Sequence, residues 1–311
     1  MEVVKTQVKE NLLIVGGSGF IGSHVVKQAV SEGFNVSIIS RKTVPADKKI
    51  ENIEYIVVDI SKYVDLLDKL NGKLFHHVIN LGGYVNHSNY SESGDRVFNT
   101  HFNGVKNLVD CIDNTSLKSF IQIGSSDEYG DNPAPQSECQ RESPISPYSF
   151  SKTATTHFLQ MLYRTEEFPV VILRLFLVYG PGQDENRFIP QIIKGCMNNE
   201  KFPVSYGKQL RDFCYIDDIV QGILSATKVD SVKGSVINLA SGDPVSIYDV
   251  VNLIQKLIKK GAPDFGKIPY RKKENMELYA NVKKAKNKLS WCSKISLEVG
   301  ITRVVDSIIP K

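Results

Sequence analysis

Along the 311-residue chain, short apolar runs alternate with longer stretches in which apolar positions recur every three or four residues. The runs are LLIV, FNVSIIS, EYIVV, FHHVINL, KSFIQIG and PVVILRLF, without the regular in-out alternation of a sheet wetted on one face. FIGSHVVKQAVSEG, VDLLDKL, DRVFNTHFNGVKNLVDCI and a stretch from about Ser146 to Glu166 carry the helical period. Strands apolar on both faces, each followed by a helix, predict an α/β fold whose parallel, doubly wound sheet is covered on both sides.

After Tyr179 the texture changes. YGPGQDEN is a loop rich in Gly and Pro, FIPQIIKGCMN has a helical pattern, and later segments are shorter and more polar. The expected organisation is a first domain over residues 1–180 and a smaller α/β domain over 181–311. Within the latter, residues 213–240 (FCYIDDIVQGILSA and GSVINLA) are expected to return to the large sheet.

The chain is 41% hydrophobic and 23% charged, as an ordinary globule is. No uncharged run approaches the ~20 residues that span a bilayer, and MEVVKTQVKENLLIV lacks the form of a leader, so a cytoplasmic protein without a membrane partner is expected. A net charge of +4 with scattered lysines argues against nucleic acid. Five cysteines without a CxxC spacing suggest reduced thiols and neither a disulfide framework nor a metal site.

GGSGFIG sits between the first strand and first helix. Gly16, Gly19 and Gly22 let the backbone turn tightly, approach a pyrophosphate and pack the helix on the sheet, with Phe20 and Ile21 opening that helix. The second strand ends in SIISRK. Where an NAD site usually carries a carboxylate for the adenosine ribose, Ser40 is followed by Arg41 and Lys42, which would receive a 2′-phosphate; NADP(H) is therefore expected over NAD(H). The alternative is that both are ordinary loop cations. Asp59, with Ile60 in YIVVDI, is placed to touch the adenine edge or to cap the following helix. PYSFSK puts Tyr148 and Lys152 on one helical face, where an ammonium beside a phenol favours the phenolate and makes a proton donor and acceptor.

GGSGFIG, NLGG, GSSDEYG, PYSFSK, VYGPG and LRDFCYIDD, in this order over nearly the whole chain, resemble the extended short-chain dehydrogenase/reductases acting on nucleotide sugars. The resemblance implies a Rossmann domain followed by a domain that binds a nucleotide-diphosphate sugar. It assigns Leu81, Gly82 and Gly83 of NLGG to the coenzyme, Ser125 to the sugar oxygen, Tyr148 to proton exchange and Lys152 to the nicotinamide ribose. It also implies a homodimer through helices at 94–114 and 146–166.

The family's 4,6-dehydratases show Thr-Asp-Glu where this chain, aligned without a gap, has Ser125-Ser126-Asp127. One member of the elimination pair is missing. Glu128 then falls where an apolar residue is usual and is expected to sit in a polar turn at the strand end; Ser126 and Asp127 remain candidate substrate contacts. Arg211 and Arg271 resemble the family's diphosphate-binding arginines, Asn186 and Arg187 border the same expected site, and Leu177 replaces a frequent asparagine. His87 and His101 are candidates to line the sugar site, with a satisfied structural role as the expected alternative. The activity expected is NADPH-dependent reduction of a 4-keto-6-deoxy nucleotide sugar, as in the family's 4-ketoreductases. The alternatives are a 4-epimerase or 4,6-dehydratase with retained NAD(P), and a non-catalytic dinucleotide sensor.

Overall fold

The computed structural model describes residues 9–270 and 274–308. Its first half runs β1 (Asn11–Val15), α1 (Phe20–Ser31), β2 (Asn35–Ser40), β3 (Glu54–Val57), α2 (Tyr63–Leu70), β4 (His77–Asn80), α3 (Tyr90–Phe98), α4 (Gly104–Cys111), β5 (Ser119–Ser125), α5 (Pro147–Glu166) and β6 (Val170–Leu175). There follow β7 (Leu177–Tyr179), α6 (Phe188–Met197), β8 (Lys201–Val204), β9 (Leu210–Tyr215), α7 (Ile216–Ala226), β10 (Val236–Leu239), β11 (Pro244–Ser246), α8 (Ile247–Ile258), β12 (Ala262–Phe265), β13 (Glu277–Leu278), α9 (Lys283–Leu289) and α10 (Leu297–Ile308).

The seven-stranded sheet has the order β10-β6-β5-β4-β1-β2-β3. β1 pairs in parallel with β2 on one side and β4 on the other, and Leu12 to Val15 are almost fully excluded from solvent. This central burial explains the unbroken apolar run at β1. The winding reverses between β1 and β4, and in open α/β sheets ligands bind beyond the carboxyl ends of strands at such a reversal. The loops after β1 and β4 hold the two glycine segments singled out in the sequence.

Two compact units emerge from the contacts: residues up to 123 with 146–172 and 226–235, and residues 124–145 with 173–225 and those from 236 onward. In the second, β9 pairs with β11, β13 and β7, and β8 pairs with β12. Among the described residues no helix is long and apolar enough to cross a membrane. Cys111, Cys196 and Cys214 are buried, Cys139 and Cys292 exposed, and all five are free thiols.

Three segments differ from the sequence reading. Of residues 213–240, expected to return to the large sheet, only β10 does so, at its edge beside β6, while β9 pairs with β11, β13 and β7. DRVFNTHFNGVKNLVDCI is not one helix: α3 opens earlier, at Tyr90, and a π-helical turn over Asn99–Asn103 separates it from α4. The wider turn is stitched by Asn103 Nδ2 donating to Asn99 Oδ1 at 2.6 Å, and it carries His101 in a buried position. PVVILRLF ends as a sheet strand at Leu175, and Leu177–Tyr179 pairs with β9 instead. Phe176 is as apolar as its neighbours, so periodicity carries no sign of the change of sheet.

Arg174 forms a charged centre in the second unit, wholly buried. Its Nε and Nη2 donate to Glu128 Oε2 at 3.0 and 2.8 Å, and Nη2 also reaches Glu142 Oε1 at 2.6 Å. The guanidinium lies 4.5 Å from the centre of the Tyr129 ring, whose hydroxyl donates to Asn238 Oδ1 at 2.7 Å. Burial pushes the Tyr129 phenol up to about 12. Removing one partner of a buried ion pair typically costs about 3–5 kcal/mol, because the other charge stays enclosed. Arg174→Ala strands two carboxylates and is expected to lower stability by at least that amount in urea unfolding; a loss below about 1 kcal/mol would show that the network is replaced by water.

Candidate active site

α5 begins with a reciprocal cap. Ser146 Oγ accepts from Ser149 N at 3.1 Å, Ser149 Oγ accepts from Ser146 N at 2.9 Å, and Pro147 takes the first helical position. Tyr148 and Lys152 follow one turn apart, both buried, with the ammonium 6.0 Å from the phenol ring centre. Lys152 Nζ donates to the Ile123 carbonyl of β5 at 2.8 Å, which fixes the end of a flexible side chain. Tyr148 is packed edge-to-face by His101 and His87, at ring separations of 5.1 and 5.6 Å.

The surroundings of His101 account for its role. Its Nε2–H donates to the Tyr84 carbonyl at 2.8 Å, and its backbone carbonyl accepts from Thr155 Oγ1 at 2.8 Å. Burial first, and then the nearby Lys152 charge, depress its pKa to about 3, so the ring stays neutral. Gly83, at φ +137°, is required for the approach: a Cβ there would meet the imidazole at 2.3 Å.

The residues expected to hold the coenzyme lie in the first unit. Gly16 has φ +78°, its N–H donates to Ile39 O at 2.8 Å, and a Cβ on it would stand 3.1 Å from the Leu81 backbone. A Cβ on Gly22 would fall 2.2 Å from the Gly16 carbonyl. α1 opens at Phe20 and Ile21 with no side-chain cap and no acidic residue in its first turn, so its N–H groups face the loop unneutralised. On the other side, buried Asn80 accepts from Gly82 N at 3.0 Å and donates to Gln122 Oε1 at 2.8 Å. Asn80 holds the Leu81–Gly83 backbone in place, a role the sequence reading missed; a polar residue closing a buried strand was the available signal. This cradle, open to backbone approach on both sides, fits a dinucleotide pyrophosphate.

The remaining candidates are more varied. Ser40 Oγ donates to Lys42 O at 2.8 Å, while the Arg41 and Lys42 side chains are exposed. Asp59 accepts from Ser61 N and Oγ at 2.9 and 2.8 Å, and α2 begins only at Tyr63, so Asp59 closes its own turn rather than capping that helix. Ile60 is buried and its carbonyl accepts from Asn107 Nδ2.

In the second unit, Ser125 caps a 3₁₀ turn over Ser126–Tyr129. Its Oγ accepts from Asp127 N at 3.2 Å, and its N–H donates to Glu128 Oε1 at 2.9 Å. Glu128 is thus in a turn, as expected, but it is a fully buried core residue whose other oxygen holds Arg174. Ser126 is buried and Asp127 half-buried. Asn186 and Arg187 are exposed ahead of α6. Arg211 donates to Leu210 O at 2.8 Å and is ion-paired with Glu274. Leu177 lies in β7, and Arg271 lies outside the described residues. Among the described residues no group of three His, Cys, Asp or Glu side chains is arranged to hold a metal ion.

Sheet order, glycine cradle and Tyr-Lys pair define a Rossmann-type nicotinamide-dinucleotide enzyme of the short-chain dehydrogenase/reductase type. The chain belongs to the NAD dependent epimerase/dehydratase family, whose model matches residues 12–240. It is 29% identical over 304 residues to a putative UDP-glucose 4-epimerase of Methanocaldococcus jannaschii, covering 95% of this chain and 97% of the relative. Among solved structures it resembles UDP-glucose 4-epimerase with UDP-glucose from Thermotoga maritima, with a TM-score of 0.86 and 25% identity over 96% of this chain and 98% of the other. UDP-glucuronic acid 4-epimerase from Bacillus cereus, in complex with UDP-glucuronic acid and NAD, gives the same TM-score, identity and coverage.

The neutral histidine has a measurable consequence. A His whose native pKa lies below its usual 6.5 contributes stability that is complete above pH 6.5 and lost as pH falls toward the native value, here about 3. His77 is also depressed by burial, whereas Glu10, held at about 2, acts only below pH 4.5. Between pH 7 and 5 stability is expected to fall by up to about 1.4 kcal/mol per unit for each buried histidine. His101→Asn should remove its share of that slope in denaturant titrations; an unchanged slope would mean that His101 protonates freely in the native protein.

Proposed function

We propose that the protein is a UDP-sugar 4-epimerase. The observation that carries this reading is the Tyr148–Lys152 pair, anchored on the Ile123 carbonyl, in a chain whose match to proteins named 4-epimerases extends over nearly the full length of both partners. The expected net reduction of a 4-keto sugar is less well supported than the epimerase alternative. Elimination is disfavoured by chemistry: Ser126 stands at the family's acid position, and Glu128 is engaged by Arg174 and by the Ser125 N–H.

The bound nicotinamide dinucleotide would supply reversible hydride acceptance at the sugar carbon. Tyr148 takes the proton of the C4 hydroxyl and returns it once the carbonyl has been reduced from its other face. Lys152 would hold the nicotinamide ribose, and its ammonium beside the phenol favours the ionised form. Ser125 bonds the sugar oxygen. Gly16, Gly19 and Gly22 with Leu81–Gly83 would cradle the pyrophosphate. Residues 1–180 form the coenzyme domain in this reading, and 181–311 bind the nucleotide diphosphate. Arg211 is its anion contact, with Glu274 sharing or yielding the guanidinium when the diphosphate arrives.

A second reading, reduction of a 4-keto sugar by NADPH, is favoured by one feature: β2 ends in Ser40-Arg41-Lys42 with no carboxylate. NMR of the purified protein with UDP-glucose and UDP-glucuronic acid separates the two. A 4-epimerase yields a mixture of C4 epimers from one of them without net change in coenzyme, whereas stoichiometric NADPH oxidation with 4-keto sugars and no epimer formation would replace the first reading by the second. Tyr148→Phe is expected to lower turnover by at least ~10²-fold while coenzyme binding persists; full activity in that variant would remove the phenol from the chemistry.

A further inference from the structure

From Leu278 to Leu297 the chain carries five lysines, Lys283, Lys284, Lys286, Lys288 and Lys294, and no aspartate or glutamate. The first four lie on α9, which buries Ala285 and Leu289, one turn apart, and turns its other faces outward. Lys284 is half-buried and the other four lysines are exposed. None of the five has a carboxylate within ion-pair distance among the described residues, whereas Lys106, Lys194, Lys201 and Lys228 each have one.

The segment is fastened at both ends. Ala280 N donates to Asp212 Oδ2 at 3.2 Å, and Lys294 N and Ile295 N both donate to Asp218 Oδ2 at 2.9 Å. Trp291 is buried, with its Nε1 donating to the Asp218 carbonyl at 2.9 Å. The lysines therefore stand on a fixed backbone. Its first end lies beside Arg211: Leu278 of β13 is the register partner of Arg211 in β9, and Asp212, which holds Ala280, is the next residue of that strand. The chain from Leu278 to Lys283 reaches at most about 18 Å. All of these residues belong to the second unit.

We propose that the α9 lysines are an electrostatic guide for the diphosphate of a nucleotide sugar, raising the rate at which it reaches Arg211 without bonding to it once it is bound. The guide rests on the reading of Arg211 as the diphosphate contact, but not on whether the sugar is epimerised or reduced. Arg211 attracts poorly over distance, because it is largely buried and its charge is paired with Glu274. A field that acts before contact has to come from charges that no carboxylate offsets, and α9 supplies them beside the strand that carries Arg211. The residue type fits this task. A lysine ammonium is a strongly hydrated point charge, suited to attraction through water, whereas the fork of an arginine is suited to gripping oxygens. Solvation alone does not call for this pattern: a helix face that only meets water gains from Glu and Lys four residues apart, while Lys284 and Lys288 at that spacing repel each other. The diphosphate link is a dianion, and its approach relieves that repulsion. Screening sets the range, since charges act over about 30 Å at 0.01 M salt and about 8 Å at 0.15 M.

Stopped-flow mixing of the full-length protein with UDP carrying a fluorescent anthraniloyl group on its ribose measures association and dissociation separately. In the wild type the association rate is expected to fall about fivefold between about 0.01 M and about 0.15 M salt. A variant combining Lys283→Gln, Lys284→Gln, Lys286→Gln and Lys288→Gln should associate about fivefold more slowly than wild type at the lower salt and within about twofold of it at the higher. Its dissociation rate should stay within about twofold of wild type at both, and the agreement at high salt also shows that the variant is folded. Equal association rates of variant and wild type at low salt would overturn the guide. Faster dissociation from the variant would overturn it as well, because the lysines would then hold the bound ligand. A wild type to which UDP does not bind would overturn the diphosphate site itself, and the guide with it.

Discussion

A buried ammonium needs an acceptor, and in this fold the Ile123 carbonyl of β5 gives Lys152 one. That bond joins the helix carrying the phenol to the central sheet, so Tyr148 and its cation keep a fixed relation to the strands that carry the glycine cradle. The arrangement depends on ordinary local causes. Ser146, Pro147 and Ser149 start α5 where it does, and the helical repeat then puts residues 148 and 152 on one face. Moving the helix start by one residue would turn both side chains by about 100° about the helix axis.

The loop after β4 serves two neighbours at once. Asn80 and Gly82 fix its path, Gly83 admits His101 against it, and His101 in turn packs on Tyr148. The glycine loop after β4 and the Tyr148 phenol are therefore linked through one neutral imidazole, seated by the π-helical turn between α3 and α4. In the second unit the equivalent organising centre is ionic. Arg174, held by Glu128 and Glu142, locks the turn whose cap is Ser125, so the hydroxyl assigned to the sugar stands on a buried charge network rather than on a free loop.

Much of this was legible in the sequence, for physical reasons. A parallel sheet buried on both faces leaves apolar runs alternating with helical patterns, and close backbone approach in the loops after β1 and β4 calls for glycines such as Gly16 and Gly83. Tyr148 and Lys152 were legible because helical spacing and order along the chain agree. What escaped depends on distant partners. The arginine in VVILRLF looks like one charge in a strand until Glu128, 46 residues earlier, closes on it. Glu128 was read correctly as a turn residue, but its burial could not be seen locally. The change of sheet after Phe176 leaves no mark in an apolar run, and a π turn has the same composition as the helix around it.

Hydride transfer at C4, with Tyr148 as proton carrier, is the claim on which the functional account stands. Mass spectrometry of the products formed from a UDP-sugar deuterated at C4, in ordinary water, tests it most directly. If the hydrogen is held within the protein and returned to the same carbon, the deuterium stays at C4 of the inverted sugar. Epimer that has lost its deuterium to solvent would contradict the account, because inversion would then proceed by proton abstraction at carbon rather than by transient oxidation.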